Sequence, residues 1–180
     1  MTVVFHHEAI PGHHVQLTLA MEQEMPLLMR FVSFNGLVEG WALYCERLMY
    51  DLGMYEGKPL DNLARLDLEL MRAARLVIDT GIHAYGWTRS EAAAHVEDLR
   101  GWPRGSFVGT IDRYVILPGQ GSSYMVGKLV IESLRDQAHE ALADAFDLAS
   151  FHDVVLGTGG IPLEILEALV GQYIADASAH

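Results

Sequence analysis

An all-α fold is predicted by three observations. Apolar residues recur at three- and four-residue steps along most of the chain, Gly- and Pro-rich turns separate those stretches, and no convincing ladder alternates with a strand's period of two. Residues 36–51 carry the first clear helical pattern, with Gly53 as its stop. Residues 60–82 carry a longer one, in which Leu63, Leu66, Leu70, Ala73, Ala74, Val77 and Ile78 form one stripe and Arg65, Glu69 and Arg72 fall off it. Thr88-Arg-Ser-Glu91 reads as a capping box, because the Thr88 oxygen accepts an amide at the third helical position while Glu91 reaches back; it opens a helix to about residue 99. Further helices are expected at 124–142, from the Asp147 cap to 156, and from Pro162 to about 175. Gly101-Trp-Pro-Arg-Gly105, Pro118-Gly-Gln-Gly121 and Gly157-Thr-Gly-Gly160 read as loops.

A length of 180 residues suits one helical domain over 1–180. The 51% hydrophobic content excludes low-hydrophobicity disorder. Twelve Lys and Arg stand against 24 Asp and Glu, a formal charge of −12, which argues against a nucleic-acid or anionic-membrane surface. No apolar run approaches the roughly 20 residues of a membrane span. No basic segment followed by an apolar core marks a signal peptide, so localisation is open, and cytoplasmic if Met1 is the true start. The single Cys45 sits among apolar residues and reads as an inert buried thiol. Mean hydropathy of +0.17 is high for an acidic helical chain, and residues 27–32 and 36–45 are apolar over much of a helix's circumference. Some of that surface is expected to meet a partner, a second copy or a further segment. Met21, Met25 and Met29 have helical spacing and read as core filling.

The densest chemistry is His6-His-Glu-Ala-Ile-Pro-Gly-His-His-Val-Gln16, which holds four of the nine histidines. Neutral imidazoles beside a carboxylate suit a borderline-soft divalent cation, zinc above all. In the usual His-Glu-x-x-His arrangement a four-residue step brings both rings to one helix face. From His7 to His13 the step is six residues, about 600° of rotation, so a straight helix cannot make the site. Pro11 removes a backbone donor and Gly12 tolerates unusual dihedrals, so a break is expected there that would swing His13 back beside His7. His7 with His14 shares a face but lies about 10 Å apart along a straight axis, too far for one ion. The third ligand should come from another helix. Glu39 is the best candidate, because Gly36-Leu-Val-Glu-Gly-Trp-Ala-Leu-Tyr-Cys45 is otherwise uncharged, unless it faces water from an amphipathic helix. Glu46 reads as a residue behind the ligands or in solvent.

His7-Glu-Ala-Ile-Pro-Gly-His-His-Val-Gln16 followed by Val38-Glu-Gly-Trp-Ala-Leu-Tyr-Cys-Glu46 resembles the bacterial DUF885 family, a group of gluzincin-like metallopeptidases by expectation. Later blocks agree: Arg75-Leu-Val-Ile-Asp-Thr-Gly-Ile-His83 with Gly86-Trp-Thr88, Asp112-Arg-Tyr114 with Pro118-Gly-Gln120, Phe151-His-Asp153 and Ile161-Pro-Leu163. The resemblance implies a mostly helical, metallopeptidase-like domain with a broken zinc-binding helix near its N-terminus. His7 and His13 would be zinc ligands, Glu39 the third ligand and Glu8 the base. Two departures stand out. Members are usually much longer, so the helices expected to form the opposite cleft wall lie outside this chain. Thr110 also replaces a glutamate commonly found ahead of Arg-Tyr, and the segment 118–124 is smaller than usual.

The roles then follow from chemistry. Glu8 would take a proton from a zinc-activated water and pass it to the leaving amine. Tyr114, Tyr124 and His83 are candidate oxyanion donors. Asp79 would fix the His83 tautomer, or else pair with Arg75 on a solvated face. Arg113 would hold a peptide carboxylate, or else pair near Asp112. His152 is left to capping or packing. The expected activity is zinc-dependent hydrolysis of peptide bonds. The alternative is a non-catalytic helical fragment or metal-binding domain, one that needs a complementing N-terminal segment or self-associates.

Overall fold

The computed structural model describes residues 2–24 and 32–179, and every regular element among them is helical. In chain order these are α1 (Thr2–Glu8), α2 (His13–Glu22), α3 (Asn35–Asp51), α4 (Pro59–Tyr85), α5 (Arg89–Arg100), α6 (Val108–Ile116), α7 (Gln120–Leu142), a 3₁₀ turn (Ala143–Ala145), α8 (Leu148–Leu156) and α9 (Leu163–Ala177). No described helix is long and apolar enough to cross a membrane. The region 27–31, with Met25 and Met29, lies outside the described residues; Met21 is 75% exposed and fills no core.

The centre of the molecule is the crossing of α3 over α7. A Cβ at Gly40 would overlap the backbone of Gly127, and one at Gly127 would overlap the Gly36 carbonyl, so glycine is what lets these two helices touch backbone to backbone. Around the crossing, Leu37, Trp41, Tyr44 and Leu48 of α3 pack with Ile131 and Leu134 of α7 and with α8 and α9. A second cluster joins Met71, Ala74 and Ile78 of α4 to α5 and α6. Leu43, Tyr124 and Met125 connect the two by packing on Ala73 and Leu76 of α4.

Local signals explain several boundaries. The Thr88–Glu91 capping box is formed in both directions, Gly86 ends α4 in the left-handed region, and Asp147 accepts the Ser150 amide to cap α8. Two boundaries come instead from distant side chains. Helix α7 begins at Gln120 rather than 124, because Asp79 of α4 accepts from the Gly119 and Ser122 amides at 3.2 and 2.9 Å. Helix α6, which no local signal marked, starts where buried Glu97 of α5 accepts the Phe107 amide at 2.9 Å.

The face of α4 departs from expectation. Of the expected stripe, Ala74 and Ile78 are buried, but Leu63 is 61% exposed, Leu66 48%, and Leu70 and Val77 also lie in the open. Arg65, expected outside, is 3% exposed. It turns inward because it is paired: Asn62 and Glu69 accept from its guanidinium at 3.0 and 2.8 Å, and Glu69 also meets Lys128 of α7 at 2.8 Å. A satisfied ionic contact thus holds the inner face of α4's first half, and its apolar row points away from the core.

Candidate metal centre

Helix α1 ends at Glu8 and α2 begins at His13, with a non-helical bend between. A Cβ at Gly12 would overlap the carbonyl oxygens of His7 and His6, so the chain doubles back against its own helix end only because position 12 has no side chain. The bend is tied to α3 by the Trp41 indole, which donates to the Pro11 carbonyl at 3.0 Å. These contacts bring the His7 and His13 rings to 4.9 Å between centroids, nearly perpendicular.

Glu39 enters from the α3 side. Its Oε2 lies 3.3 Å from His13 Nε2 and 3.9 Å from His7 Nε2, and one donor atom from each residue falls within 4.8 Å of the others. Ligands of a tetrahedral zinc at roughly 2.0–2.1 Å stand about 3.3 Å apart, so this donor set would suit such an ion once its wider separations, up to 4.8 Å, close toward that value. Behind it, His7 Nδ1 donates to Glu46 at 2.8 Å, which leaves the Nε2 lone pair turned toward Glu39. Glu46 is fully buried, and Arg72 Nη2 approaches the same carboxylate oxygen, Oε1, at 3.6 Å. His14 is exposed and stands outside the cluster.

The electrostatics are those of an incompletely neutralised site. The hydrogen bond that His13 donates to Glu39 raises the His13 pKa, against burial, which lowers it. Burial pushes Glu39 up, but hydrogen bonds from His13 and Tyr124 and the nearby imidazoles bring it below the usual carboxylate range. The buried His13 Nδ1 and Glu46 Oε2 have no hydrogen-bond partner.

The remaining residues singled out in the sequence divide. Tyr124 is at the cluster: its ring stacks 6.4 Å from His7, and its hydroxyl accepts from Gln120 Nε2, which also donates to Glu39 Oε1 at 3.3 Å. Glu8 is exposed at the end of α1, where its charge is felt by His13 and where it lines an open apolar cleft of about 600 Å³ with Val4 and Phe5. Tyr114 is buried on α6, separated from Tyr124 by Arg75. His83 Nε2 donates to the Tyr114 carbonyl at 2.9 Å and so braces α6. Arg113 is exposed, and no hydrogen bond or ion pair engages it among the described residues. Asp79 serves α7 rather than Arg75, with His83 at 3.7 Å. His152 packs on Trp41 and lies 2.8 Å from the Tyr44 hydroxyl. Sequence reasoning gave no site role to Gln120, Trp41 or Arg75, although all three stand inside motif blocks, beside residues already singled out.

The family described as "Bacterial protein of unknown function (DUF885)" matches residues 1–170. The chain belongs to the DUF885 family. Two solved structures are similar to this DUF885 chain. One, a "putative lipoprotein" of Colwellia psychrerythraea, is 46% identical with a TM-score of 0.91, over 97% of this chain and 30% of that one. The other, a "putative lipoprotein of unknown function" of Shewanella oneidensis, is 30% identical with a TM-score of 0.84, over 93% of this chain and 30% of that one. The chain therefore spans under a third of each. No curated protein matches it.

Proposed function

We propose that this DUF885 chain carries the zinc site of a peptide-bond hydrolase, with His7, His13 and Glu39 as protein ligands. The observation that carries the reading is the convergence of three donor atoms from three helices, with a free carboxylate, Glu8, immediately beyond His7. Bound zinc with these three ligands would supply an open fourth position, a water acidified toward pKa about 7, and polarisation of the scissile carbonyl. Glu8 accepts the proton released there and returns it to the leaving amine. Glu46 keeps the His7 ring in the tautomer that presents Nε2. The Tyr124 hydroxyl, at the cluster edge, is the better oxyanion donor; Tyr114 is the more remote candidate, and His83 is committed to a backbone carbonyl. The substrate is a peptide.

The exposed apolar row on α4 favours one qualification: turnover belongs to a form in which a complementing segment or second copy covers that row. The test is Glu8→Gln. It should retain zinc while peptide hydrolysis, in this chain or in a longer protein containing it, falls by at least about 10²-fold. Full activity in Glu8→Gln would refute the mechanism.

A further inference from the structure

Helix α4 carries two arginines toward the site, and they are used differently. The Arg72 guanidinium is engaged: Nη2 faces Glu46 at 3.6 Å and Nη1 donates to the Leu68 carbonyl at 3.3 Å. Arg75, one turn on, has no such partner. Its i+4 carboxylate, Asp79, is taken by the Gly119 and Ser122 amides and the Ser122 hydroxyl. No carboxylate lies within ion-pair distance of Arg75 among the described residues, and its buried Nε has no hydrogen-bond partner. The guanidinium is held between two aromatic faces, 5.4 Å from the Tyr124 ring centroid and 5.9 Å from that of Tyr114. Aromatic faces orient a guanidinium without neutralising it.

The Tyr124 ring that flanks Arg75 also stacks on His7, so the unneutralised cation stands one aromatic ring away from the metal ligands. A partly buried guanidinium with unused donors is matched by a planar carboxylate, which accepts two parallel N–H bonds. One or two residues of extended chain bridge such a spacing. We propose that Arg75 is the substrate-anchoring residue of this site and takes a carboxylate of the peptide on the leaving-group side of the scissile bond. The proposal rests on the reading of His7, His13 and Glu39 as the reacting centre. It replaces Arg113, which is exposed on α6, as the carboxylate-binding arginine. The carboxylate belongs either to the chain end or to an acidic side chain, and one experiment separates these sources.

The full chain is titrated calorimetrically, with and without zinc, with three short peptides: an Ala-terminated one with a free carboxylate, the same peptide amidated, and an amidated peptide ending in Glu. Wild type should bind one of the two carboxylate-bearing peptides about 10- to 100-fold more tightly than the amidated Ala peptide, the ratio expected of one charge-assisted hydrogen-bonded pair. Preference for the free chain end assigns the terminal carboxylate, and preference for the Glu amide assigns the side chain. Arg75→Met should erase the difference while keeping the helical content and the zinc stoichiometry of wild type. Arg75→Lys should keep part of the preference, since it retains charge and loses only the fork. Equal binding of all three peptides by wild type, no binding of any, or a preference that survives Arg75→Met would overturn the assignment. Loss of zinc binding by wild type itself would instead strike the metal reading, which zinc titration without peptide reports separately.

Discussion

Two sets of partly buried charge lie in this molecule, and they are balanced differently. Between α4 and α7, Arg65, Glu69, Lys128 and Glu132 form a ladder of two cations and two anions, linked at 2.8, 2.8 and 3.1 Å. At the α1–α3 contact, Glu39 and Glu46 face the imidazoles of His7 and His13, with Arg72 as the only full cation in reach of either carboxylate among the described residues. The ladder closes its own account of charge. The cluster does so only when His13 takes a proton or a cation arrives, and the raised His13 pKa is the sign of that demand. The difference teaches how to tell a structural ion-pair network from a candidate ligand site. Both concentrate buried charge, but only one is short of a positive partner.

Three variants sharpen that contrast. The largest effect is expected from Lys128→Met, which strands Glu69 and Glu132 beside a single remaining cation. Urea unfolding should show a loss of about 3 kcal/mol, the low end for a broken buried pair because both carboxylates are partly solvated. Zinc affinity should not move, and a matching loss of zinc would mean that the two networks are one. Next is Glu46→Gln, which keeps the shape of the His7 contact and removes its charge. Competition against a chromophoric chelator should show zinc affinity reduced about 10- to 100-fold, and an unchanged affinity would demote Glu46 to packing. The smallest is a pH effect outside both networks. Burial, helped by the charge of Arg135, pulls His152 down to about 4 from its ordinary 6.5. His152 is therefore neutral in the fold where the unfolded chain is already protonated. Its contribution is fully present above pH 6.5 and is lost as pH falls from 6.5 toward 4. His152→Phe should flatten the stability-versus-pH curve across that window. An unaltered slope would place the acid sensitivity elsewhere.

The approach of His7, His13 and Glu39 was legible in the sequence, because histidines and an isolated carboxylate stand out there and Pro11–Gly12 announced a bend next to two of them. Helices with caps of their own, at Thr88 and Asp147, were equally legible. Legibility failed where a partner came from far along the chain. Helix α6 and the first turn of α7 are capped by Glu97 and Asp79 from other helices, which no local pattern encodes. The outward turn of Leu63 and Leu66 was hidden for the same reason. Periodicity identifies an apolar stripe, but whether it faces the core depends here on Arg65 finding Glu69, and on Glu69 finding Lys128 on α7. Arg75 was read only as an alternative partner for Asp79, and Asp79 is diverted to the amides of α7 by contacts that no local pattern encodes.

The central claim is that His7, His13 and Glu39 hold one divalent cation. Metal content should be measured by elemental analysis after zinc loading and desalting, for wild type, His13→Ala, Glu39→Ala and Glu8→Gln side by side. The account predicts about one zinc per chain in wild type and Glu8→Gln, and little in His13→Ala or Glu39→Ala. A wild type that retains no zinc, or a His13→Ala and Glu39→Ala pair that retains it fully, would contradict it.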